Sequence, residues 1–227
     1  MSIARRHLVA AAVAALAATL PGRPIAQTPR ADADTKGWIS LFDGKTLAGW
    51  KLRHEGGKNA WSAENGVLKN AEAGTDFVTE RKFGDFDLHI EFAVPKGSNS
   101  GVYLQGRYEI QIADTYRQPP SHGGCGAVYS KILPTENVAK PADDWQAFDI
   151  SFRQARRGPD GKVTEKALVT LVWNGIRVID RKEIDGITGG ALDDAEGTPG
   201  PLMLQGDHGP ILYRNIRIRP AVDLPAK

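Results

Sequence analysis

Apolar and polar residues alternate with period two along much of the chain after Gly37, and no long window shows a helical period. In Asp87-Leu88-His89-Ile90-Glu91-Phe92 the even positions are apolar and the odd ones polar. Phe148, Ile150 and Phe152 alternate with Asp149, Ser151 and Arg153. Across 101–112, Val102, Leu104, Tyr108, Ile110 and Ile112 share one face, and Tyr103, Gln105, Arg107, Glu109 and Gln111 share the other. The pattern predicts strands at 39–42, 60–63, 66–69, 76–80, 86–94, 101–112, 127–129, 145–153, 166–173, 176–180, 202–205 and 211–219. Asn65-Gly66, Lys96-Gly97-Ser98-Asn99, Pro159-Asp160-Gly161 and Asn174-Gly175 are the turn signals between them. Strands that are half polar bury one face and wet the other, as in an antiparallel sandwich. About a dozen of them in one stretch predict an all-β domain, a two-sheet jelly roll.

The N-terminus breaks this pattern. Arg5 and Arg6 precede an uncharged apolar run from Leu8 to Leu20, followed by Pro21, Gly22, Pro24 and the small residue Ala26. The run is short of the roughly 20 residues that span a bilayer. It predicts a cleaved signal peptide over 1–26 and a protein exported to the periplasm or beyond, with no membrane partner after cleavage. The Arg5-Arg6 pair also fits a twin-arginine route. Residues 27–36 read as a polar disordered spacer, 37–220 as one domain and 221–227 as a tail.

Charge changes once the leader is set aside. Losing Arg5, Arg6 and Arg23 takes the 29 basic residues to 26, against 27 acidic ones. A balance near zero gives no nucleic-acid footprint. Cys125 is the single cysteine, so the domain has no internal disulfide and relies on its core. Its setting, Gly123-Gly124-Cys125-Gly126, predicts a small residue in a tight turn rather than a nucleophile.

One polar face stands out. An ordinary outer face favours Lys, Thr, Glu and Ser, whereas Tyr103, Gln105, Arg107, Glu109 and Gln111 offer a ring, two amides, a guanidinium and a carboxylate. Such groups hydrogen-bond and stack on sugars, and they point to a small saccharide partner. A solvated face with a local Arg107–Glu109 pair is the plainer reading.

Four segments carry a resemblance. They are GWISLFDGKTL with Gly49-Trp50, from Gly37; FGDFDLHIEF, from Phe83; NSGVYLQGRYEIQ, from Asn99; and LQGDHG, from Leu204, with YRNIRIRP, from Tyr213. Lys140-Pro141, Trp145-Gln146 and Asn174-Gly175 add to them. Together they resemble the 3-keto-disaccharide hydrolase family, which implies a concanavalin-like jelly roll and cleavage of sugars already oxidised at C3. A ketone at C3 acidifies the C2 proton; a base removes it, and the enolate expels the C1 substituent. Such chemistry needs a base near C2, a donor at the C3 oxygen and an acid at the departing oxygen.

His208, between Asp207 and Gly209, is the first choice of base. Glu91 and Glu109 are candidates for acid or base, and Arg107 and Arg214 for steadying the enolate oxygen. Gln105, Gln111, Asn215 and Asp207 are candidate hydroxyl binders, and Tyr103, Tyr129 and Trp145 candidate stacking rings. His89 shares strand parity with Glu91, so a His89, Glu91, Glu109, His208 cluster holding a divalent cation is a further expectation. The alternatives are a lectin-like module without a base, and a conventional glycoside hydrolase using Glu91 and Glu109 as its carboxylate pair.

Overall fold

Alternation turns into strands wherever the apolar face has something to cover. The computed structural model describes residues 37–220. The expected signal peptide, spacer and tail lie outside the described residues. Among the described residues, fifteen strands follow in chain order. The first eight are β1 (Ile39–Ser40), β2 (Trp50–Leu52), β3 (Trp61–Glu64), β4 (Val67–Asn70), β5 (Phe77–Phe83), β6 (Phe86–Ala93), β7 (Asn99–Leu104) and β8 (Tyr108–Ala113). The rest are β9 (Gln146–Arg153), β10 (Arg156–Arg157), β11 (Val163–Glu165), β12 (Ala167–Trp173), β13 (Ile176–Ile184), β14 (Gly200–Leu204) and β15 (Ile211–Pro220).

The strands form a two-sheet antiparallel β-sandwich of the jelly-roll type. One sheet runs β13-β12-β9-β6-β15-β4-β3, with β1 also on β15; the other runs β2-β5-β14-β7-β8, and β10-β11 is a separate ribbon. The core lies between the two sheets. From the larger one come Leu88, Ile90, Phe92, Phe148, Ile150 and Phe152; from the smaller, Val102, Leu104, Tyr108, Ile110 and Ile112. Phe92 and Phe148 pack with centroids 4.6 Å apart, and Phe148 meets Trp173 at 5.8 Å. Each such ring, fully buried, stabilises the fold by about 1.5–3 kcal/mol.

Turn chemistry sets the registers. Asn65 and Asn174, each followed by glycine, take φ of 52° and 53°, so both pairs make the double left-handed turn that a two-residue hairpin needs. Glu64 then faces Val67, and Trp173 faces Ile176.

Three sequence expectations change. The single strand over 101–112 is a hairpin, broken at Gln105 and Gly106, whose φ values are 54° and 68°. Its faces survive the break because Tyr103 pairs with Glu109 and Gly101 with Gln111, so odd positions stay with odd. Residues 127–129 give only isolated bridges, from Val128 to Ile110 and Ile132. Short β2, β10 and β11 were not expected: two or three residues are too few to show a period.

Candidate active site

The outer face of the smaller sheet is not wet. Tyr103, Gln105, Arg107, Glu109 and Gln111 are all buried, because segments between the strands fold back over them. Buried polar groups need partners, and those partners sort the five residues.

Gln105 and Arg107 are structural. The Gln105 amide donates to the carbonyls of Phe83 (2.8 Å) and Gly84 (3.2 Å) and to Gln154 Oε1 (2.8 Å). Arg107 pairs with Asp193 and donates to the Thr198 carbonyl at 2.7 Å. Both sit in the hairpin turn and fasten the 188–198 segment and its neighbours. The roles expected of them at a substrate are therefore corrected: both are buried and held by other parts of the protein.

Tyr103 and Glu109 form a pair with chemical potential. They are cross-strand partners, and the Tyr103 hydroxyl donates to Glu109 Oε2 at 2.9 Å. The same hydroxyl lies 3.0 Å from the Gly189 carbonyl. The other carboxylate oxygen, Oε1, is buried and has no hydrogen-bond partner among the described residues. Gly101 makes room for it: a Cβ there would sit 2.3 Å from Oε1. Burial pushes the Glu109 carboxyl up to about 7, and Asp207 and Asp76 add to the rise, while Tyr103 and His208 oppose it. A carboxyl that titrates near neutrality and holds a free lone pair can take or give a proton in a reaction.

Several residues surround this pair. Gln111 is buried beside it and donates to Asn99 Oδ1 at 3.0 Å. Asp207 and His208 follow β14; they pair through Oδ1 and Nδ1, with side chains 54% and 48% exposed. The Gln205 N–H donates to the Gly101 carbonyl at 2.9 Å, which brings the turn carrying Asp207 and His208 beside Gly101, the residue against which Glu109 Oε1 packs. Tyr129 is exposed, its N–H donates to the Glu109 carbonyl at 3.0 Å, and its ring lies 3.9 Å from where a Gly189 Cβ would be. The sequence reading missed Asp76, Arg53 and the 188–192 segment that covers Tyr103. Only the Gly189-Gly190 pair hinted at a close backbone approach: a Cβ at Gly190 would lie 2.6 Å from the Tyr103 hydroxyl.

The remaining candidates lie on the opposite outer face. His89 and Glu91 alternate with core residues of β6 and so point away from the smaller sheet. Glu91 is engaged by Arg214 Nε and the Asn215 amide, both at 2.6 Å. His89 Nδ1 meets Asp149 at 2.6 Å, and Arg214 stacks on Trp145 at 4.0 Å. Burial opposes both charges, yet Asp149 and Glu91 hold His89 up at about 9, and His89, Asn215 and Arg214 hold Glu91 down at about 2. This corrects the idea that Glu91 and Glu109 share a concave sheet. The sandwich core separates them, so they are not a carboxylate pair, and Arg214, Asn215 and Trp145 do not line the Glu109 site. The expected metal set is split as well; among the described residues no three His, Cys, Asp or Glu side chains converge on a metal position. Cys125 is buried and its thiol is pushed up to about 12, as suits a packed turn residue.

Comparison with known proteins gives this arrangement its context. Residues 37–219 match the 3-keto-alpha-glucoside-1,2-lyase-like domain. The chain belongs to that family. A relative from Bacteroides thetaiotaomicron, the 3-keto-disaccharide hydrolase, is 26% identical over 82% of this chain and 79% of its own length. The crystal structure of a provisionally assigned glycosyl hydrolase from Parabacteroides distasonis is 33% identical, with a TM-score of 0.71 over 82% of this chain and 84% of that one. A second protein of that description from the same organism, at 18% identity, has a TM-score of 0.65 and shows the shared fold. Membership of the 3-keto-alpha-glucoside-1,2-lyase-like family supports a carbohydrate-active enzyme of glycosyl-hydrolase type.

Proposed function

We propose that this protein cleaves 3-keto-glycosides outside the cytoplasm, with Glu109 as the base at C2. The observation that carries the reading is the buried Glu109 carboxyl, raised to about 7, held by Tyr103 and left with one unpartnered oxygen. Family membership supports the substrate class, and burial with an open carboxylate oxygen favours Glu109 over the exposed His208 as the base.

The steps balance without a cofactor. Glu109 takes the C2 proton, and the electrons of that bond move toward the C3 carbonyl. The enolate collapses to a C1=C2 double bond and expels the C1 oxygen substituent. His208, exposed beside Asp207, protonates the departing oxygen. Water then adds across the double bond: its oxygen goes to C1, and a proton is returned to C2. Tyr103 orients the base, and Tyr129 offers a ring at the rim.

The export signal read at the N-terminus agrees with a saccharide met outside the cell. A non-catalytic sugar-binding module is the second reading, but such a module has no use for a buried carboxyl tuned to neutrality. The test is release of reducing sugar or glycal from a 3-keto-glucoside and from its unoxidised parent. Wild type is expected to cleave only the oxidised form. Binding of both without cleavage of either would leave the module; equal cleavage of both would contradict the enolate route.

A further inference from the structure

We infer that Arg53 is a positioning residue for the Glu109 site, because its ion pair with Asp76 ties together the two segments that flank that carboxylate. The inference rests on the Glu109 reading above.

Arg53 follows β2 directly, and its N–H donates to the Asp76 carbonyl at 2.8 Å, which fixes it across from Asp76 at the sheet edge. Its guanidinium makes three hydrogen bonds. Nη1 donates to Asp76 Oδ2 at 3.0 Å and to the Gly190 carbonyl at 2.8 Å, and Nη2 donates to the Ala191 carbonyl at 2.9 Å. Two carbonyls and a carboxylate held by one planar fork are more than a lysine can match. The other oxygen of Asp76 accepts the Gly206 N–H at 2.9 Å. Gly206 immediately precedes Asp207 and His208.

Each end of this crosspiece reaches the site. At one end, the Gly189–Ala191 segment presents the Gly189 carbonyl to the Tyr103 hydroxyl, which also serves Glu109. A hydroxyl has one proton to donate, so the placing of Gly189 decides how much of it the carboxylate receives. At the other end, Gly206 sets where the Asp207–His208 pair stands. The rest of the 188–192 segment is fixed independently: Thr188 and Leu192 N–H donate to the Arg107 and Gly106 carbonyls at 3.0 and 2.8 Å. Arg53 thus governs the middle of the segment rather than its presence.

Tyr103 from β7 touches the Glu109 carboxyl, and the charged groups that act on it are Asp76 ahead of β5, and Asp207 and His208 after β14. Tyr213 of β15 is in the core behind and feels the Glu109 charge. Replacing Arg53 by lysine keeps the charge opposite Asp76 but gives up the carbonyls. Gly189 then drifts, Tyr103 donates wholly to Glu109, and the Glu109 carboxyl titrates lower.

The experiment compares wild type with Arg53→Lys and with the double variant Arg53→Met/Asp76→Asn, which removes the crosspiece without leaving a lone charge. The readouts are kcat, KM, the acid limb of the kcat/KM profile and the melting temperature, all with a 3-keto-glucoside. The expected result is kcat lower by about 10- to 100-fold, as misplacement near 1 Å produces, with KM little changed and the acid limb moved to lower pH; the limb is read in Arg53→Lys, because Asp76→Asn by itself removes a charge that raises the Glu109 carboxyl. A lower melting temperature with kcat and the acid limb unchanged would reduce Arg53 to a staple and overturn the inference. If the double variant does not fold, Arg53→Lys decides. Carbon-13 titration of the Glu109 carboxyl in wild type and Arg53→Lys separates this from the reaction itself. A downward shift in a protein that cleaves nothing keeps the positioning role and discards the reaction; no shift discards the positioning role.

Discussion

Glu109 and Tyr103 are adjacent across a hairpin, so a single substitution reads directly on the chemistry. Tyr103→Phe removes the donor that lowers the Glu109 pKa, and the carboxyl therefore titrates higher. The acid limb of kcat/KM should move above pH 7, with the rate at pH 7 falling; a limb at its original pH would contradict the pairing. Gly101→Ala places a methyl 2.3 Å from Glu109 Oε1. It should cut kcat by about 10²-fold through misplacement, checked by steady-state kinetics beside a thermal melt. Alternation alone placed Tyr103 and Glu109 on one face, because the residue count of the turn preserved parity. It could not show that Gln105 and Arg107 bond to backbone carbonyls and to Gln154, Asp193 and Thr198, since those partners are distant in the chain.

The segment from Thr188 to Thr198 turns a solvent face into a buried one. Arg107 fastens its far end through Asp193 and Thr198. Arg107→Ala leaves those groups unanswered and should cost about 3 kcal/mol, seen as a lower urea midpoint. Activity per folded molecule should be retained far better than in Glu109→Gln; a loss as large as in that variant would return Arg107 to the reacting groups. The longer strands were legible from period two, and the hairpins at Asn65-Gly66 and Asn174-Gly175 from their turn residues; the Gln105-Gly106 turn was not. The covering segment was not, because an irregular chain carries no period, and its hold on the sheet comes from backbone groups and side chains whose partners are distant in the sequence.

At the scale of the molecule, the two outer faces respond to pH in different ways. Glu109 and His89 are raised, so each contributes stability below its unfolded pKa that is lost as pH climbs through about 7 and about 9. Glu91 is lowered, so its contribution is present above roughly pH 4.5 and lost as pH falls through about 2. Melting temperature should therefore peak near pH 5 and decline toward pH 9. Glu109→Gln should flatten the decline between 5 and 7, and His89→Gln that between 7 and 9; unchanged slopes in both would refute the assignment. That the two faces are separate could not be read from the chain, since β6 and β8 carry the same alternation and only the sheet order divides them.

The most direct test of the account follows the hydrogen at C2. A 3-keto-glucoside carrying deuterium at C2 is given to wild type in ordinary water, beside the unlabelled substrate. Removal of that hydrogen by Glu109 predicts a slower reaction with the labelled sugar and a product that has exchanged its deuterium for a solvent proton. Equal rates with the deuterium retained at C2 would mean direct displacement at C1, and the role given to Glu109 would fall.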